Sequence, residues 1–445
     1  MDSPIAAFLR EYADSHTARF HMPGHKGSGP LGCEMLDITE IRGADSLYEA
    51  EGIIAQSEEN ASALFGTGCT LYSTEGSSQC IRAMLYLALQ NRPRGSAPVI
   101  LAARNVHKAF VYAAALLDFT PVWLWPEAGE SLLQCPVSPN QVAAALDAMK
   151  QPPAAVYLTS PDYLGGMADV EAIARVCHQR GTVLLVDNAH GAYLRFLRPS
   201  RHPMDQGADL CCDSAHKTLP VLTGGAYLHI NKSAPAAFGE KARQAMALFG
   251  STSPSYLTLA SLDLCNQTLA GDYPERLGEM TERLALLRCR LKDRGWQLGE
   301  TDPLRLTLRA SEGESGLHLA QRLRENAIEC EYADEEYLVL MLTPDNSRSE
   351  LTRLEQALGC APALPKAQSL LPQARGEQAM PVRQALFAPQ ETVAAAQALG
   401  RVCGAPTVSC PPAVPIAVSG ERIGQPALAL FAHYGISHVD VVKES

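Results

Sequence analysis

Between residues 98 and 230 the chain repeats one pattern: a short run of apolar, β-branched or aromatic residues, then a stretch with helical spacing. The runs over 98–102, 121–125, 155–159, 183–186, about 208–212 and 225–230 read as strands, and 108–117, 141–150 and 169–180 as helices between them. Within the runs, apolar residues do not alternate with polar ones, so both faces of each strand must be covered. Layers of helices on either side of a mainly parallel sheet satisfy this requirement, and the chain is expected to be α/β.

The flanking stretches differ. Residues 1–50 are rich in Gly, Pro and His, lack clear periodicity and read as an extended arm. Helical patterns follow over 53–65 and 79–90, on either side of a loop over 72–78. Together with the repeating region they make a large domain over 51–270. A charged helix over 274–294 opens a smaller α/β unit over 271–360, with strands near 304–308 and 337–342 and a helix over 316–326. Residues 361–381, rich in Pro, Ala and Gln, read as a linker, and 382–445 form a last segment. A chain of 445 residues exceeds what one ordinary core serves.

The net charge of −11 argues against nucleic acid and anionic lipid as partners. No stretch reaches the length of a membrane helix, and the first residues lack the basic start and apolar core of a signal peptide. Thirteen cysteines, odd in number and without a Cys-x-x-Cys pair, suggest reduced thiols and a cytoplasmic protein.

In α/β sheets, ligands gather beyond the carboxyl ends of strands. Glu75-Gly76-Ser77-Ser78 opens a helix, where free N–H groups and the helix dipole attract phosphate, although an ordinary serine cap looks the same. His107 follows a strand and could stack on a flat ring or simply cap a helix. Thr159-Ser160-Pro161-Asp162-Tyr163 follows another and could donate hydrogen bonds or form a turn. Asp187 ends an apolar strand, and a buried carboxylate needs a partner. Ala189 leaves room for a ring beside it, and His190 could shape the same wall. Ser214-Ala215-His216-Lys217-Thr218 places a lysine beyond a further strand, where partial burial favours imine chemistry.

Lys217, Asp187 and a phosphate loop together match the needs of pyridoxal 5′-phosphate (PLP): an amine for its aldehyde, a carboxylate for its ring nitrogen, and donors for its phosphate. A metal is not expected. Asp187 has no ligand cluster around it, and Pro23-Gly24 breaks the helix that His21 and His25 would need to share an ion.

The stretches Phe20-His21-Met22-Pro23-Gly24-His25-Lys26-Gly27, Gly76-Ser77-Ser78, His107-Lys108, Asp187-Asn188-Ala189-His190-Gly191 and Ser214-Ala215-His216-Lys217-Thr218 resemble the ornithine/lysine/arginine decarboxylase family. Cys410-Pro411-Pro412-Ala413-Val414-Pro415 and Ser419-Gly420-Glu421-Arg422-Ile423 resemble its C-terminal elements. The resemblance implies a fold-type-I PLP enzyme of the shorter type, without an N-terminal wing domain. It further implies a homodimer or higher homo-oligomer with shared active sites and a role in polyamine biosynthesis. By position, Lys217 would be the Schiff-base lysine, Asp187 the partner of the pyridine nitrogen and His107 the stacking ring. Gly76, Ser77, Ser78, Ser214 and His216 would surround the phosphate, and Ala189 would lie against the ring.

The chain departs from the family pattern on the substrate side. Asn188 stands where Glu is usual, Glu75 where Asn is usual, and Gly43-Ala44-Asp45-Ser46-Leu47-Tyr48 keeps one aspartate of an Asp-Asp-Leu pattern. Decarboxylation of a basic amino acid (arginine, lysine or ornithine) is the expected reaction, with Lys217 or His216 returning the proton. Glu75, Asp45 and Tyr163 are candidates for holding the substrate's distal cation. Transamination, C–S lysis or an idle PLP-binding homologue are the alternatives. A transaminase would need an arginine on the α-carboxylate, and the sequence does not place Arg305 or Arg401 there.

Overall fold

A computed structural model of the chain describes residues 1–126, 132–361, 373–408 and 414–444. Its centre is a seven-stranded sheet of β1 (Cys69–Ser73), β2 (Val99–Ala103), β3 (Thr120–Leu124), β4 (Ala155–Thr159), β5 (Leu184–Asp187), β6 (Leu210–Asp213) and β7 (Ala226–Ile230). The strand order is β1-β7-β6-β5-β4-β2-β3, parallel from β6 through β3, with β7 running antiparallel to both its neighbours, β6 and β1. The strand β1 was not anticipated from the sequence.

The missing alternation now has its cause. Ile100, Ala102, Tyr157, Leu185 and Leu210 point to one face, where α3 (Ser77–Gln90) and α4 (Lys108–Leu117) supply Met84, Leu87 and Phe110. Leu101, Val156, Leu158, Leu184 and Val186 point to the other, against Val142 and Leu146 of α5 (Pro139–Ala148) and Ile173 and Cys177 of α6 (Val170–Gln179). Successive strand residues therefore enter opposite cores, and truncating one of the leucines or Ile100 to alanine costs roughly 2–5 kcal/mol.

Part of the arm is a helix: α1 (Pro4–Asp14) buries Ile5, Ala6 and Leu9 against α2 (Ile53–Phe65) and the helix Tyr256–Ala270. The Ala6 N–H donates to the buried Asp263 carboxylate at 3.0 Å, which satisfies a first-turn amide of the helix. Beyond α1, Phe20 is 96% and Leu31 83% exposed.

The smaller unit follows the helix Tyr273–Asp293. Strands β8 (Arg305–Arg309), β9 (Tyr332–Ala333) and β10 (Tyr337–Met341) lie antiparallel in the order β8-β10-β9, with helices Gly316–Glu325 and Arg348–Leu358 covering Leu306, Leu308, Leu338 and Leu340. Residues 362–372 of the expected linker, and Cys410, Pro411, Pro412 and Ala413 of the C-terminal motif, lie outside the described residues.

The C-terminal segment does not stand apart. Ile416, Leu430, Phe431 and Val441 complete the core under the β2–β6 face. Arg104, fully buried at the end of β2, forms a bidentate pair with Glu421 at 2.6 and 2.8 Å and donates to the Pro415 carbonyl. Its guanidinium lies between the rings of Trp123 and Trp125. No helix among the described residues is long and apolar enough to cross a membrane.

Candidate active site

At the carboxyl end of the parallel strands lies a cavity of about 370 Å³. Glu75, Gly76, Ser77, Ser78, His107, Tyr163, Asp187, Ala189, His190, Ser214, His216 and Lys217 all line it. Residues read singly from five stretches of sequence thus meet in one space.

One part of the cavity is the start of α3, where free first-turn amides and hydroxyls favour an anion. Gly76 precedes the helix at φ +71°, and a Cβ there would meet nothing within 4 Å. The first-turn amides of Ser77 and Ser78 have no partner within the helix. Ser214 Oγ donates to Ser77 Oγ at 2.8 Å, which gathers the hydroxyls at the same point. Gly224 faces this turn at φ +98°, with a would-be Cβ only 2.8 Å from the Thr74 carbonyl, so any side chain there would push the two loops apart.

Asp187 lines the same cavity and is 2% exposed. Tyr157 donates its hydroxyl to Oδ2 at 3.1 Å, and the Ala189 N–H donates to Oδ1 at 3.2 Å. These fixed donors orient a carboxylate that the apolar strand β5 carries out of the core. Sequence reading missed Tyr157, because a tyrosine inside a buried strand reads as core.

Lys217 sits on a single helical turn, Ala215–Thr218, beyond β6. Its side chain borders the open cavity, yet protein surrounds it, and this desolvation lowers its ammonium pKa against the pull of Asp187 and Glu331. Its Nζ lies 2.7 Å from Nε2 of His190. His190 is 8% exposed, and burial, then the Lys217 charge, hold its pKa well below the usual histidine value. Burial likewise lowers His107 and His216. His107 Nδ1 accepts the Ala109 N–H and caps α4, so it lines the cavity as well as starting the helix. His216 Nδ1 lies 2.9 Å from the Gly225 carbonyl, which only an Nδ1–H can satisfy.

The substrate candidates separate. Glu75 and Tyr163 line the cavity, whereas Asp45 does not. Asp45 accepts hydrogen bonds from the backbone amides of Ser46, Glu51, Gly52 and Ile54, and so ties the arm to the start of α2. Glu331 takes a place the sequence did not suggest: it belongs to the small unit beside β9 and accepts the hydroxyl of the cavity-lining Tyr163 at 3.3 Å. Of the two arginines, Arg401 pairs with Glu391 and Glu444, while Arg305 is 1% exposed and donates to the Tyr163 carbonyl at 2.8 Å. Asn188, the departure beside Asp187, donates to the buried Asp213 carboxylate at 2.7 Å.

This geometry fits PLP. The helix start and serines would hold the phosphate, Lys217 the aldehyde carbon and Asp187 the ring nitrogen, with His107 and Ala189 beside the ring.

Relatives agree. The major domain of Orn/Lys/Arg decarboxylases matches residues 3–299. An uncharacterised Bacillus subtilis (strain 168) protein, YaaO, is 29% identical over 95% of this chain and 92% of its own length. An arginine decarboxylase of the same organism is 28% identical over 95% of this chain and 91% of its own. The solved structure of the Escherichia coli constitutive lysine decarboxylase superposes with a TM-score of 0.80, at 19% identity, over 99% of this chain and 82% of that one. The chain therefore belongs to the Orn/Lys/Arg decarboxylase family, PLP-dependent amino-acid decarboxylases of fold type I.

Proposed function

We propose that the chain decarboxylates a basic amino acid, arginine, lysine or ornithine, to the corresponding amine. The observation that carries the basic side chain is Glu331. A carboxylate bonded to Tyr163, and near enough to Lys217 to oppose the lowering of its pKa, suits a distal ammonium or guanidinium. Glu75, exposed on the phosphate side of the cavity, adds a second acidic group.

When bound, PLP supplies the electron sink that loss of an α-carboxylate requires. Lys217 would hold it covalently through Nζ. Asp187, oriented by Tyr157 and the Ala189 amide, would keep a proton on the ring nitrogen. Ser77, Ser78 and Ser214 would anchor the phosphate. The cavity wall of Leu133, Val106 and Pro161 limits water around the departing carboxylate. For the proton returned to the α-carbon, Lys217 Nζ is the better carrier than His216. The His216 ring has its proton on Nδ1 at Gly225, and burial disfavours a second one on Nε2.

The same reading extends to assembly and place: a cytoplasmic homodimer with shared sites, supported by the exposed apolar arm around Phe20 and Leu31. It also places the product among the amines of polyamine biosynthesis. The purified enzyme with PLP, offered arginine, lysine, ornithine and a neutral and an acidic amino acid, should release CO₂ and amine from one of the basic three. A keto acid product, or turnover confined to the neutral or acidic substrate, would overturn the proposal.

A further inference from the structure

We propose that His190 holds Lys217 as its neutral amine, by donating its Nε2–H to the lone pair of Nζ. This rests on the reading that Lys217 carries the cofactor, but concerns the protein before the cofactor arrives.

The other ring nitrogen decides the tautomer. His190 Nδ1 is buried and has no hydrogen-bond partner among the described residues. A neutral imidazole carries its one proton on either Nδ1 or Nε2. A proton on Nδ1 would leave a buried N–H donor orphaned, which folded proteins avoid more strictly than an under-used acceptor. A doubly protonated ring would orphan the same N–H and add a desolvated charge beside Lys217. The remaining state has the proton on Nε2, 2.7 Å from Nζ. An ammonium has three donors and no acceptor, so it cannot receive that hydrogen bond, whereas a neutral amine can.

The surroundings act on both groups from several elements. Lys217 faces Asp187 from the end of β5, Glu331 from beside β9, Arg305 from β8 and Cys212 from β6; the two carboxylates favour an ammonium, and Arg305 and burial oppose it. His190 faces Lys217 and His216 from the turn beyond β6, His107 from the turn after β2, and Arg305. The Tyr163 ring packs beside the imidazole at 5.8 Å, tilted by 53°. The functional gain is direct. Capture of an aldehyde forms a bond from the nitrogen lone pair to the carbonyl carbon and loses water, and an ammonium has no lone pair to give.

Two measurements on the apo-protein test this. In ¹⁵N-histidine-labelled protein, the His190 resonances, assigned by their displacement in Lys217→Ala, should show the proton on Nε2 across the neutral range. The Nδ1–H form or an imidazolium would overturn the proposal. Separately, Lys217 modification by acetic anhydride, followed by peptide mass spectrometry, should have its midpoint about one pH unit lower in wild type than in His190→Phe. That variant keeps a ring against Tyr163, and circular dichroism checks its fold. Equal midpoints, or the opposite order, would also overturn it. Adding PLP and reducing with borohydride then tests the parent reading by itself: a label elsewhere than Lys217 would sink that reading, whatever the tautomer.

Discussion

Glu331 is a side chain whose removal separates substrate binding from chemistry. Glu331→Gln keeps the shape and the bond to Tyr163 but removes the charge. The KM for the basic substrate should rise about tenfold, or about 1.4 kcal/mol, while kcat changes less; an unchanged KM would mean that the distal cation binds elsewhere. Asp162 offers a second test. It is 7% exposed, accepts the Gly166 N–H at 2.7 Å, and burial pushes its carboxyl up to about 7. The folded protein therefore keeps this proton to higher pH than the unfolded chain, which releases it near pH ~4. Its contribution is full below that point and is lost as pH rises through about 7. Asp162→Asn should flatten the Tm-against-pH curve across that window. At this scale the sequence was informative where residue type and strand position coincide. Asp187 and Lys217 stand out because a charged group beyond an apolar run is costly without a partner. Asp45 misled because a carboxylate that caps backbone amides and one that holds a ligand are spelled alike. Glu331 was illegible because it meets the cavity-lining Tyr163 from another unit, far along the chain.

Among the elements, α3 carries the anion-binding turn, and its start can be tested without touching the core. Ser77→Asp places a carboxylate where the phosphate would sit. It should weaken PLP binding at least tenfold, measured by titrating the apo-protein, with the melting temperature of the apo-protein kept or raised by a good N-terminal charge. Unaltered PLP affinity would remove the phosphate from this turn. The helices and buried strands were legible because their periods differ and persist. The helix α1 was hidden by the Gly- and Pro-rich stretch after it, although Ser3-Pro4 at its start and Ile5 and Leu9 on one side were fair signs. The strand β1 mixes Cys, Thr, Leu, Tyr and Ser, and only its pairing with β7 decides it.

For the whole molecule, the proposed dimer makes the arm the surface to break. Phe20→Asp with Leu31→Asp changes two side chains that stand in solvent in the single chain, so the fold should persist. Light scattering should report a shift from dimer to monomer, and an unchanged mass would place the interface elsewhere. The large sheet with its helices on both faces was expected from the repeating pattern. The seating of the last segment on that sheet was not, because its contacts join positions hundreds of residues apart. Arg104 and Glu421 bear on how such a protein can be inherited. Seat a tail that lacks the acid, and a desolvated guanidinium is left beside two indole rings without its counter-ion, which costs several kcal/mol. A recombination that brings in a foreign tail succeeds only if it brings an acid at that point, so the two ends of the gene are bound to travel together.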